Sequence, residues 1–267
     1  MKRAWIAVAF AALAHGAMAG VTYKIDSTTT GTQERSMSGV VEVEGSKFRL
    51  NVDKGDGMVF PDSSFVISTN GGRTLAVVDP SAKTYYELQL DQLANGIGAM
   101  MQQMGDKVKF ATANPKVDVR DLGPGEKIEG YATKKKSVDT SYDMNIEAMG
   151  QKMTITMSMA TESWVTDQLS TEWASFLQTG ELRTGMPDID KLIAAQAKGT
   201  TGFPLKQISK VHVEQNGMDM NMTTTTNVTS IVKKTIADSE FVIPAGFTKV
   251  DSPIEKMMKM MSGAAHR

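Results

Sequence analysis

The dipeptide Asn216-Gly217 constrains this chain more than any other feature. Lys206 to Gln215 alternates apolar and polar residues before it, and Met218 to Met222 alternates after it. A type I′ turn needs φ > 0 at both central residues, which Asn and Gly tolerate, so the pair predicts a two-residue β-hairpin. Folding about it sets Val213 opposite Met220 and Val211 opposite Met222, with Met218 on the same side. His212, Glu214, Asp219 and Asn221 fall on the other side. One face is apolar, and half of it is methionine.

The same reading extends along the chain. Ser36–Glu44 and Lys47–Val52 flank Gly45-Ser46, and closing that turn pairs Val43 with Phe48 and Val41 with Leu50. Glycine at the first turn position suits type II′. Val21–Ser27, Ser64–Thr69, Thr74–Asp79 and Thr84–Leu88 read as further strands, the last three separated by Asn70-Gly71-Gly72 and by Asp79 to Lys83. Val117–Leu122 reads as a short strand. Val138, Tyr142, Met144 and Ile146 alternate before Gly150, and Met153, Ile155, Met157 and Met159 alternate after it. Glu147-x-x-Gly150-x-x-Met153 matches Glu214-x-x-Gly217-x-x-Met220, the form expected of two similar hairpins in one sheet.

Three helices interrupt the strands. Leu93, Ile97, Met100, Met101 and Met104 form an amphipathic stripe stopped by Gly105. Leu169, Trp173, Phe176 and Leu177 form a second stripe. Pro187 opens a third helix, with Ile189, Leu192 and Ile193 on one side and Gly199 at its end.

The N-terminus reads as a leader. Met-Lys-Arg precedes a small, apolar stretch from Ala4 to Met18, and Ala17-Met18-Ala19 forms a small-x-small cleavage site. Residues 1–19 are therefore expected to be a signal peptide that exports the protein, most simply to a periplasm or cell envelope. Loss of Lys2 and Arg3 takes the net charge from −1 to −3, which argues against nucleic acid as a partner. No later apolar run is long enough to span a bilayer. The chain has no cysteine, so an exported product has neither disulfides nor a lipid-anchor cysteine, and an ordinary core must hold it.

Catalytic readings are poorly supported. Of three histidines, His15 lies in the leader and His266 is penultimate, which leaves His212 for any triad or zinc site. Neither a Gly-x-Ser-x-Gly elbow nor a phosphate- or dinucleotide-binding loop appears. The expectation is a non-enzymatic protein without a cofactor or resident metal. Methionine is the unusual feature, with 20 in the chain, clustered at 100–104, 153–159, 218–222 and 257–261. Flexible thioethers fill cores, line adaptable lipid-binding surfaces or ligate Cu(I), and side-chain chemistry leaves all three readings open.

Particular segments resemble a known group. Trp164-Val165-Thr166-Asp167 after a long strand, the closing Phe241-Val242-Ile243-Pro244, Asp79-Pro80 through Tyr85-Tyr86, and Ile128-Glu129-Gly130-Tyr131 look like the lipoprotein-carrier (LolA/LolB-like) half-barrel group. The closest resemblance is to its exported families of unknown function, and it covers most of residues 21–250. It implies an α+β fold: a strongly bent antiparallel half-barrel of about ten strands, spanning 20–251, with helices at 91–104, 171–178 and 188–198 on its concave face. It also implies a concave face holding acyl chains or other lipids, with a lipid, a lipidated protein or an envelope protein as partner. The candidate lining is Met144, Met153, Ile155, Met157, Met159, Trp164, Val211, Val213, Met218, Met220 and Met222. A structural or protein-interaction module with no ligand is the alternative, and a Cu(I) binder the third reading.

Residues 252–267 form a separate tail. Ser252-Pro253-Ile254-Glu255 has the form of a capping box, so a short helix is expected to start there. Ile254, Met257, Met258 and Met261 would share its apolar face and act as a lid over the cavity.

Overall fold

The computed structural model describes residues 20–32, 34–55, 59–103, 108–148, 150–199 and 201–256. The first meander comprises β1 (Val21–Gly31), β2 (Arg35–Glu44), β3 (Lys47–Lys54), β4 (Phe65–Ser68), β5 (Thr74–Asp79) and β6 (Thr84–Gln89). Helix α1 (Leu90–Gln103) then leads to a second meander of longer strands: β7 (Val108–Pro124), β8 (Lys134–Ala148), β9 (Gln151–Thr166), β10 (Phe203–Gln215) and β11 (Met218–Lys233). Between β9 and β10 lie α2 (Ser175–Gln178) and α3 (Pro187–Gly199). A two-residue strand, β12 (Thr248–Lys249), completes one curled sheet in the order β12-β6-β5-β4-β3-β2-β1-β11-β10-β9-β8-β7.

The two meanders join where β1 pairs with β11, so the first and last long strands meet at the middle of the sheet. Because β6 and β7 lie near opposite edges, α1 is the connection between the two ends of the sheet. All pairings are antiparallel except β12 with β6. The strand count is twelve where alternation predicts about ten. The strand that alternation does not show is β12, formed by a non-local parallel contact; β7, expected as a short strand at 117–122, is a single strand of 17 residues. Strand β7 tolerates Pro115 because it is an edge strand, bulged between Ala113 and Lys116.

Both predicted hairpin registers are present. Val213 faces Met220 and Val211 faces Met222, with Asn216 and Gly217 at φ 49° and 77°. Val43 faces Phe48 and Val41 faces Leu50, with Gly45 at φ 57°.

One face of the sheet, called inner here because helices pack on it, carries the main core. Val21, Tyr23, Val41, Val43, Phe48, Val52, Val66, Val77, Tyr86, Leu88, Phe203, Leu205 and Val228 are buried there, with Leu169 and Trp173 from the connecting segment laid over them. Trp173 meets Phe48 and Phe203 edge-on, with centroids at 5.6 and 6.3 Å. Burial pushes the Tyr23 hydroxyl pKa well above its ordinary value. Helix α3 presses on β7 and β8, and its last residue must be small, since a Cβ on Gly199 would stand 2.6 Å from a Val138 methyl.

A second core lies on the opposite, outer face of β4 to β6. Phe65, Ile67 and Val78 pack there against Ile236 and Phe241, with Tyr85, Ile243 and Phe247 around them. The C-terminal segment thus seals the first meander from behind, and β4 is buried on both faces.

The capping box forms: Ser252 N donates to Glu255 Oε2 at 2.7 Å, and Glu255 N donates to Ser252 Oγ at 3.0 Å. A helical turn follows at 253–256, and Ile254 packs against the main core. Residues 1–19 and Met257, Met258 and Met261 lie outside the described residues. Among the described residues, no helix is long and apolar enough to cross a membrane.

Candidate functional site

The outer halves of β7 to β11 extend past the main core as a wing, and pairing aligns their inner-face side chains in rows across the strands. The row nearest the core is Val165 and Leu205 beside Val228 and Ile25. Next come two polar rows, Ser163-Gln207-Thr226-Ser27 and Thr161-Ser209-Thr224-Thr29. Three apolar rows follow toward the hairpin tips: Thr140-Met159-Val211-Met222, Tyr142-Met157-Val213-Met220, and Met144-Ile155-Gln215-Met218. The wing is therefore layered as core, hydroxyl belt and methionine face.

Of the residues expected to line a ligand site, Met144, Met153, Ile155, Met157, Met159, Val211, Val213, Met218, Met220 and Met222 share this face. They are half-buried, except Met218 at 64 % and Met220 at 37 % exposure. Trp164 does not join them. Its position, an odd number of residues from Met157 and Met159, turns it to the outer face, where Lys135 and Lys206 each stand 4.7 Å from its ring. Of the expected lid, Ile254 belongs to the main core, and the remaining three methionines are not described.

Two thioethers already have protein partners. Tyr142 Oη donates to Met157 Sδ at 3.1 Å, and Gln215 Nε2 donates to Met153 Sδ at 3.0 Å. Partial burial raises the Tyr142 pKa, so at neutral pH its hydroxyl keeps the proton it donates.

The belt is internally bonded. Ser27 Oγ and Thr226 Oγ1 lie 3.0 Å apart, Thr29 and Thr224 Oγ1 2.9 Å, and Thr161 Oγ1 and Ser209 Oγ 3.0 Å. Gln196 of α3 donates to Thr140 Oγ1 at 2.8 Å, which shows that α3 covers the β8 end. Toward β11 and β1 the belt residues are half-buried.

The outer face of the wing has a different chemistry. A trough of about 480 Å³ crosses β7 to β11, lined by the rows Lys116-Ser141-Ser158-His212-Asn221 and Asp118-Asp139-Ala160-Lys210-Thr223 and by the residues between them. Short side chains at Ser158 and Ala160 leave its floor low. Arg120 holds both acids at one end, Asp118 at 3.2 Å and Asp139 by a short contact. At the other end His212 Nδ1 lies 2.9 Å from Asn221 Oδ1, and Nε2 lies 3.9 Å from Asp219. His212, Glu214 and Asp219 bring ligand atoms within 4.8 Å of one another, a grouping that the count of usable histidines does not reveal. All three are exposed or half-buried at a hairpin end.

The family profile described as Domain of unknown function (DUF4412) matches residues 28–247. The chain belongs to the DUF4412 family. The matched span of this DUF4412 protein begins within β1 and ends just before β12, and so contains β2 to β11 and the whole wing. No curated protein matches the sequence. Among solved structures, the fold is similar to an uncharacterized conserved protein from Thermus thermophilus, with TM-score 0.38, 10 % identity and coverage of 87 % of this chain and 90 % of that one. It is also similar to a LolA superfamily protein from Nitrosomonas europaea, with TM-score 0.31, 10 % identity and coverage of 84 % and 90 %. A third similar structure, PNGF-II, gives TM-score 0.33 and 14 % identity, and covers 91 % of this chain and 33 % of its own. The expected membership of a family of unknown function is thereby found.

Proposed function

We propose that this DUF4412 protein is an exported, non-enzymatic binder of a hydrophobic ligand, held on the methionine face of its wing. The observation that carries the reading is the exposure of that face. Met218 and Met220 are open, and the neighbouring rows are only half-buried, on a surface with no charged side chain on β9, β10 or β11. Contiguous exposed apolar surface of this kind marks an interaction site, and unbranched thioethers adapt to chains of varied shape. Copper is less well supported, because Met153 and Met157 direct their sulfurs at Gln215 and Tyr142 rather than toward a common point.

The test is native mass spectrometry of the protein purified from the cell envelope, followed by solvent extraction. A copurifying lipid is expected. A clean apo mass, with no uptake of added fatty acid, would replace this reading with that of a protein-interaction module.

A further inference from the structure

The hydroxyl belt has no role in a purely hydrophobic site, and its placement asks for one. Threonine suits strands wherever it occurs, so its mere presence explains nothing. On the inner face of β1, β9, β10 and β11, however, the hydroxyl side chains fall in two adjacent rows, with apolar rows on both sides of them along the same strands. We infer that the belt binds the polar head of an amphiphile whose hydrocarbon chain lies along the methionine rows, and that this head is an oxygen acceptor without positive charge. The inference rests on the hydrophobic-ligand reading above and narrows it to a ligand class.

Three observations support it. Dimensions come first. Successive rows are two residues apart, about 6.8 Å, so the three apolar rows extend about 14 Å from the belt side to the tips. A single bilayer leaflet holds chains about 15 Å deep, half of the hydrocarbon core. Donor inventory is the second. A pair of hydroxyls needs one of its two hydrogens for the shared bond, so Ser27–Thr226 and Thr29–Thr224 each keep a second O–H to donate. Charge is the third. The belt carries no acid on β9, β10, β11 or β1; beyond those strands its rows continue to Arg35 beside Thr29 and to Lys136 beside Ser163, with Asp121 beyond Lys136 at the sheet edge. Lys136 Nζ is turned to Thr201, whose carbonyl and hydroxyl accept from it at 2.9 and 2.7 Å. An ester or carboxylate head finds donors on β1, β9, β10 and β11, whereas an ammonium head finds no carboxylate on the belt positions of those four strands.

Displacement of a fluorescent fatty-acid probe from the mature protein tests the assignment, with hexadecanoic acid, its monoglyceride and hexadecylamine as competitors. The acid and the monoglyceride are expected to compete about ten-fold better than the amine, which is charged at neutral pH. The two favoured competitors separate a carboxylate from an ester source of the same acceptor chemistry. Paired Thr29→Val and Thr224→Val should reduce the preference to less than about two-fold while probe binding persists. Ser209→Ala provides a second, milder variant with the same expected direction. Equal competition by the amine in the wild type, or an unchanged preference in both variants, would overturn the belt assignment and leave the hydrophobic site standing. Failure of the probe to bind at all would remove both.

Discussion

The first meander and the wing are built from one sheet with one alternating pattern, yet they treat their apolar residues differently. In the first meander, valine and aromatic side chains are sealed on the inner face by the 169–178 segment and on the outer face by residues 236–247. In the wing, methionines occupy the equivalent positions, and α3 packs chiefly on β7 and β8. Alternation decides which side a residue faces; whether that side is covered depends on elements distant in sequence. Stiff, branched side chains suit a sealed core with one packing, and flexible thioethers suit a surface with none of its own.

Substitutions should separate the two regions. Leu205 is fully buried at the base of β10, so Leu205→Ala is expected to cost about 2–5 kcal/mol in chemical denaturation. Met157→Asp places a carboxylate on the half-buried face and should cost about 1–3 kcal/mol. Met220→Asp, at an exposed position, should cost less than about 1 kcal/mol, although alternation alone would rank it with the core. An equal loss at 220 and 205 would mean that the wing is sealed in solution. Replacing Met218, Met220 and Met222 with leucine should preserve the fold within about 1.5 kcal/mol and leave Cu(I) uptake unchanged; stoichiometric copper lost in the triple variant would restore the metal reading.

Acid should loosen the tip of the wing. Hydrogen bonds from Asn114 and from Thr156 hold the Asp143 carboxyl below its ordinary pKa. A carboxylate with a depressed folded pKa contributes stability above the unfolded value and loses it as pH falls. Amide protection around the β7 bulge, measured against the intrinsic exchange rate, is therefore expected to fall below about pH 4, as it should at the β5–β6 turn, where Ser81 and Ala82 hold Asp79 below its ordinary pKa. Asp143→Asn should remove that pH step.

Much of this contrast is legible in the sequence, and the remainder fails for identifiable reasons. Asn216-Gly217 and Gly45-Ser46 carry their registers in two residues, so both hairpins can be drawn before the structure is known. Strand β7 escapes because Pro115, Gly123 and Pro124 read as breakers, whereas an edge strand absorbs them in bulges. Trp164 is misplaced when its size is weighed above its parity. The belt is hidden in the run Thr223-Thr224-Thr225-Thr226 of β11, of which Thr224 and Thr226 face inward, and its meaning depends on pairing with Ser27, Thr29 and Ser209 from distant strands. The exposure of Met220 follows from where the helices stop.

The claim that the methionine face is the ligand site has a direct test. Met157→Asp and Met222→Asp, introduced together, put two charges on adjacent rows of that face and leave the sealed first meander untouched. Binding of a fluorescent fatty-acid probe should be abolished while the protein still melts cooperatively. Probe binding at wild-type affinity in that folded variant would contradict the account and direct attention to the outer face.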